Sequence, residues 1–225
     1  MKRGRSSRNV GDTRPPYTPA AVEGRVEVNI KIAVLASGSG TNLQALIDAP
    51  DLGAEISLVV SDRPGIVALD RAHNAGIESA VVPYGEYGSR SEFCSALNEV
   101  ADGAGVEALV LAGFMRVLDR GLVSVWKDRI LNIHPSLLPA FPGADAVGQA
   151  LEHGVKVTGV TVHFVDEKVD HGLIIAQQSV PVLPDDDRES LHARIQIEEH
   201  ALYPRVVSAF ARGQIVVDGR RVRWE

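Results

Sequence analysis

Asn132 and His134 stand two residues apart in LNIHPSLLPAFPG, the stretch from Leu131 to Gly143. On a strand, side chains at i and i+2 point to one face. An amide N–H and an imidazole N–H are then offered side by side, while Ile133 turns the other way into a core. Two such donors suit an oxygen on which negative charge develops during attack on a carbonyl. Pro135, Pro139 and Pro142 follow within eight residues. Proline fixes φ, so the strand exit is stiff and the imidazole has little room to drift. A carboxylate that accepts a hydrogen bond from the ring would set its tautomer and raise its pKa. The segment VDEKVDHGLII (165–175) offers Asp166, Glu167 and Asp170, and spacing alone does not choose among them.

A second stretch, LASGSGTNLQALID, has the pattern of strand, glycine-rich turn and helix. Gly38 and Gly40 let backbone N–H groups face a ligand, and a helix start favours an anion. A single phosphate is the natural occupant. A nicotinamide dehydrogenase would use the same frame as G-x-G-x-x-G, with an acid about 20 residues on. Asp62 does end the second apolar run, but Leu43 replaces the third glycine. A bulky residue there opposes close packing over a dinucleotide, so the phosphate reading is preferred.

The elements that must position these groups follow from periodicity. KIAVLAS (31–37), EISLVVS (55–61), IESAVVP, VEALVLAG (106–113) and RILNIH read as strands. TNLQALIDA, GIVALDRAHNAG, residues 89–104, DRGLVSVW and ADAVGQALEHG between them read as helices. Alternating strands and helices imply an α/β doubly wound, Rossmann-like sheet, mostly parallel. VTGVTVHFV (157–165) alternates in the manner of a half-covered strand, with LIIAQQSV as its partner, so the sheet is expected to be mixed. A long amphipathic helix (RESLHARIQIEEHALYPRVVSAFARG) and a hairpin on Asp218-Gly219 close the chain. Ligands in such folds bind at the carboxyl ends of strands. The 38–42, 113–118 and 132–143 segments meet there.

Length and charge limit the rest. The chain has 225 residues and a net charge of −6, which fits one domain and argues against a dedicated nucleic-acid binder. One cysteine, Cys94, rules out an internal disulfide and a thiol metal cluster. A reducing, cytoplasmic setting with no metal is expected, and no apolar run has the length of a membrane helix. The first 30 residues hold six Lys/Arg against three Asp/Glu, a net +3, which leaves −9 on the remainder. They lack apolar periodicity and are expected to form a disordered tail (1–30) before a single domain (31–225).

Four stretches together resemble the formyltransferase family that uses 10-formyltetrahydrofolate: VLASGSGTNLQALID, LVLAGFMRVL, LNIHPSLLPAFPG and GVTVHFVDEKVDHGLIIAQ. The likeness covers about residues 31–210. Its S-G-x-G-[ST]-N-L loop points to the purine-synthesis branch, which formylates the amine of glycinamide ribonucleotide. The resemblance implies a catalytic set of Asn132, His134 and Asp170, with His134 held protonated near neutral pH. It places the ribonucleotide phosphate on Gly40, Thr41 and Asn42, with Gln196 and Glu199 lining the phosphoribosyl site. It places the folate on Met115, Arg116, Val117, Leu118 and Asn132, with Arg90 as a second folate-side cation. The small-molecule substrates are then glycinamide ribonucleotide and 10-formyltetrahydrofolate; a homodimer is compatible with the pattern. Two departures stand out. Relatives place His where this chain has Asp145, near the mouth of the site, and Pro where it has Leu173. A 10-formyltetrahydrofolate hydrolase shares the Asn-His-Asp set but carries an amino-terminal regulatory domain. An inactive nucleotide-binding module would not need that set.

Overall fold

The computed structural model describes residues 29–225. The expected tail lies outside these residues up to position 28, and Ile30 already belongs to the first strand. Seven strands form one sheet: β1 (Ile30–Ala36), β2 (Ala54–Ser61), β3 (Ser79–Val81), β4 (Ala108–Leu111), β5 (Ile130–His134), β6 (Val157–Phe164) and β7 (Ile174–Pro181). Their spatial order is β3-β2-β1-β4-β5-β6-β7. β1 to β5 run parallel, and β6 runs antiparallel to both its neighbours, β5 and β7. The sheet is therefore doubly wound and mixed, as the sequence implied. The chain order reverses direction between β1 and β4, which opens a crevice at their carboxyl ends.

Strand side chains divide the core into two layers. Ile32, Val34 and Ala36 of β1 face one layer, and Ala33 and Leu35 face the other. The first layer is covered by α1 (Thr41–Ile47), α2 (Val67–Asn74), α5 (Ala146–Glu152) and α6 (Arg188–Ala211). The second is covered by α3 (Arg90–Gly103) and α4 (Arg120–Val125). Each fully buried aliphatic side chain contributes about 1.5–3 kcal/mol, which is why the parallel strands read as continuous apolar runs. Short polar residues start α3, α4, α5 and α6. Ser89, Asp119, Asp145 and Asp187 each accept a hydrogen bond from the backbone N–H three residues on. A hairpin of β8 (Ile215–Asp218) and β9 (Arg221–Trp224) follows α6. Gly219 at its turn has φ 60°, the left-handed conformation this turn requires.

Helix α6 is tied to the sheet through Tyr203. The ring is fully buried, and its hydroxyl donates to the Leu111 carbonyl at 2.8 Å, with the Leu131 carbonyl 3.2 Å away. These carbonyls end β4 and sit in β5, next to the site. Removing a buried donor leaves its acceptors short of a partner, at roughly 1–3 kcal/mol. Tyr203→Phe should therefore lower the unfolding free energy, read by urea titration, by about 1–2 kcal/mol with an unchanged m-value. No loss would show that the hydroxyl does not tie α6 to the sheet.

Candidate active site

Residue 132 alternates with Leu131 and Ile133, which lie in one core layer, so Asn132 and His134 share the opposite face of β5. They line a cavity of about 440 Å³. The same cavity is walled by the 37–42 turn, the 111–118 segment, Gly143, the 165–170 loop and the α6 residues His192, Gln196 and Glu199. Three segments distant in sequence thus converge where strand ends and topology predict. Arg90 is the exception among the expected residues. It opens α3, is exposed, and does not reach the cavity wall.

The imidazole of His134 is fixed through Nε2 and faces a carboxylate with Nδ1. Nε2 lies 2.8 Å from the Phe141 carbonyl, and a carbonyl only accepts, so Nε2 carries the proton. Nδ1 faces Asp170 Oδ2 at 3.4 Å. The turn that supplies this carbonyl is latched. Ser136 Oγ donates to the Ala140 carbonyl. Thr161 Oγ1 donates to the Ser136 carbonyl and accepts from the Leu138 N–H, and Gln177 binds both Leu138 and Thr161. Phe141 sits at φ 55°, a left-handed conformation that costs a bulky residue about 1–3 kcal/mol. In that conformation its carbonyl meets the ring.

The three acidic candidates separate in space. Asp166 pairs with His171 at 2.7 Å and Glu167 with Arg120 at 2.9 Å. Asp170 alone turns inward, with its side chain only 10% exposed. Its Oδ2 accepts the Gly143 N–H at 2.7 Å, and its backbone is also left-handed, φ 51°. Burial pushes the Asp170 carboxyl up. Hydrogen bonds, from the His163 ring when that ring is protonated and from the Gly143 amide, together with the charge of a protonated His134, outweigh it and hold the group below the ordinary 3.8. His163 is the functional residue that periodicity missed. Its Nδ1 donates to the Phe164 carbonyl, so Nε2 is free to accept from Asn132 Nδ2 at 3.1 Å. It cannot then donate to Asp170, 3.7 Å away. His163 orients the Asn132 amide, leaving the second N–H of that amide for a ligand. The antiparallel register sets Asn132 opposite His163; only that register would have revealed the pair.

One electrostatic expectation is corrected. Burial pushes His134 below its ordinary 6.5, and the Phe141 carbonyl and Asp170 carboxylate oppose this without overcoming it. The free protein therefore holds His134 neutral at neutral pH. The glycine turn also differs in its reason. Gly40 is left-handed (φ 69°), and a Cβ there would lie 2.7 Å from Ala68 Cβ. Its bareness serves the close approach of α2. A Cβ on Gly38 meets nothing within 4 Å. Arg71 stiffens the turn, donating to the Ser39 carbonyl and to Gln44.

At the far end of the cavity, Asn42 Nδ2 donates to the buried carboxylate of Glu199 at 3.1 Å. Burial raises the Glu199 pKa, and Asn42 Oδ1 has no partner. These acceptors suit hydroxyl donors of a ligand. Asp62, the acid a dinucleotide would need, is occupied. It accepts from Arg116 Nε at 2.6 Å with no side-chain exposure, and Arg116 lies 4.3 Å over the Tyr84 ring. Asp145 caps α5 and pairs with Arg188, so it faces that helix and does not line the cavity. Leu173 packs at the core edge.

Comparison with known proteins follows this geometry. The model of the formyl transferase family matches residues 30–207. The chain is 41% identical over 189 residues to the phosphoribosylglycinamide formyltransferase of Escherichia coli strain K12, covering 83% of this chain and 89% of that protein. It is 46% identical over 209 residues to the trifunctional purine biosynthetic protein adenosine-3 of Gallus gallus, covering 91% of this chain; it spans only 21% of that longer relative. A solved structure of glycinamide ribonucleotide transformylase 1 from Symbiobacterium toebii superposes with a TM-score of 0.84 at 49% identity, covering 87% of this chain and 94% of that one.

The ring nitrogens yield a direct check. Asp170 opposes the effect of burial on His134, so Asp170→Asn should move the His134 pKa, followed by NMR titration of its ring protons, further below the wild-type value. An unchanged value would remove Asp170 as the partner and return Asp166 to consideration.

Proposed function

The chain belongs to the formyl transferase family, and from that membership and the cavity we propose that it transfers a formyl group from 10-formyltetrahydrofolate to the amine of glycinamide ribonucleotide. The observation that carries this reading is the joining of Asn132, His134 and Asp170 with the glycine turn in one cavity. The residues present fit both substrates. The turn at 38–42 offers backbone N–H groups to a phosphate, and Asn42 Oδ1 and Glu199 offer acceptors to ribose hydroxyls. Met115 and Val117 are exposed apolar groups that also line the cavity, suited to a flat heteroaromatic ring. Arg116, and Arg90 beyond the cavity, supply cations toward the carboxylates of a folate tail.

10-Formyltetrahydrofolate supplies the formyl carbon on its N10, and the protein supplies orientation and proton handling. Asn132, held by His163, presents its second amide N–H to the oxygen on which negative charge grows. One oxyanion donor is worth about 10²–10³-fold. His134 enters neutral, with its proton on Nε2 and the Nδ1 lone pair toward Asp170. Nδ1 can take up a proton lost by the attacking amine, and Asp170 stabilises the resulting imidazolium. The imidazolium in turn stabilises the oxyanion and can return the proton toward the leaving nitrogen. Such acid–base participation contributes about 10²–10⁴-fold. A cytoplasmic setting is proposed with this activity; no helix among the described residues is long and apolar enough to cross a membrane.

Absorbance of the folate decides between transfer and hydrolysis. Deformylation should require glycinamide ribonucleotide, and equal loss without it would establish a hydrolase. Gly38→Val probes the phosphate end, because its side chain projects into open space. It should keep the melting temperature and raise the ribonucleotide KM about tenfold or more, with the folate KM within about twofold. Equal damage to both would show that the two ends of the cavity are not separate.

A further inference from the structure

The loop from 165 to 173 carries Asp170 and forms one wall of the cavity. Its conformation is demanding. Asp170 is left-handed, and a Cβ on Gly172 would collide with the Phe164 carbonyl. Inside the loop, Asp166 accepts from the Lys168 N–H and pairs with His171. These contacts shape the loop but do not anchor it to the body. At its outer end, Glu167 and Arg120 form an exposed pair, of a kind that contributes little.

Besides the Gly143 amide that holds the Asp170 side chain, a further tie comes from a part of the chain with no role so far. The tip of the β8–β9 hairpin lies against this loop, and Arg220 Nη2 donates to the His171 carbonyl at 3.0 Å. The hairpin is itself seated. Trp224 Nε1 donates to the Ile175 carbonyl on edge strand β7, and Ile215 and Val222 pack on the core. The hairpin lies beyond residues 30–207, the segment matched by the family model. A guanidinium bond to the 171–172 peptide, one residue beyond the left-handed Asp170, restricts the backbone from which the Asp170 side chain is aimed.

We infer that Arg220, at the tip of the carboxyl-terminal hairpin, is a positioning residue for Asp170 and for the 165–170 wall of the cavity. It touches neither substrate; it acts through the His171 carbonyl. The kinetic consequence rests on the formyl-transfer reading, whereas the structural consequence does not.

The test uses the full chain with Arg220→Ala, Arg220→Lys and Arg221→Ala. Arg221 is the neighbouring exposed cation on β9 and is a control for hairpin charge. In the free protein, Arg220→Ala should raise amide hydrogen exchange across 166–173 on the order of tenfold, the weight of one hydrogen bond, with β1 and β4 unchanged. The His134 ring should titrate at lower pH, because the carboxylate opposing its burial is less well held. With substrates, kcat/KM for the folate should fall about tenfold while the ribonucleotide KM stays within about twofold. Arg220→Lys keeps a donor and should recover most of each effect, and Arg221→Ala should behave as wild type. Unchanged exchange and His134 titration in Arg220→Ala would overturn the inference, as would equal effects in Arg221→Ala. If wild type fails to transfer formyl at all, the functional reading falls, and exchange and titration still decide the role of Arg220.

Discussion

A carboxylate buried beside two imidazoles is the constraint around which this site is built. The Asp170 side chain is 10% exposed, and a buried charge without partners costs several kcal/mol. The Gly143 amide at 2.7 Å provides that partnership, and His134, 3.4 Å away, adds to it once protonated. Bringing them together requires left-handed backbone at both Phe141 and Asp170. The chain holds these conformations with the Thr161 and Gln177 latch on one side and the close approach of Gly172 to Phe164 on the other. Strain of this kind persists only where surrounding structure over-determines it.

The same carboxylate gives two histidines different work. His134 donates from Nε2 to a carbonyl, which leaves Nδ1 open to a proton next to a negative charge. His163 donates from Nδ1 to a carbonyl, which leaves Nε2 as an acceptor that turns the Asn132 amide. Backbone carbonyls, fixed by the fold, choose each tautomer. Burial keeps His134 neutral before substrates enter, so its later gain of a proton is a change the reaction can use.

Local periodicity made the sheet legible, because buried parallel strands and capped helices follow from nearby residues. The third strand shrank to Ser79–Val81, since it is an edge with only one neighbour. Asn132 and His134 were legible because i, i+2 spacing fixes a shared face on any strand. The choice of Asp170 over Asp166 and Glu167 came from the family resemblance and was not legible from spacing. It depends on where a nine-residue loop turns, and each rival finds its own cation there, His171 and Arg120. His163 was hidden for a related reason: its partner is set by antiparallel register across 31 residues. Gly40 was read as a ligand contact; it lines the cavity, and its bareness also admits Ala68 of α2, a packing relation that sequence spacing does not display.

The tautomers are where this description is most exposed to test. Long-range proton–nitrogen correlation spectra of protein labelled in its histidine rings, recorded at neutral pH without substrates, report the protonated nitrogen of each ring. His134 should be neutral with its proton on Nε2, and His163 neutral with its proton on Nδ1. A His134 ring protonated at Nδ1 alone, or already an imidazolium, would contradict the assignment of the Phe141 carbonyl as its acceptor and of Nδ1 as the open proton site.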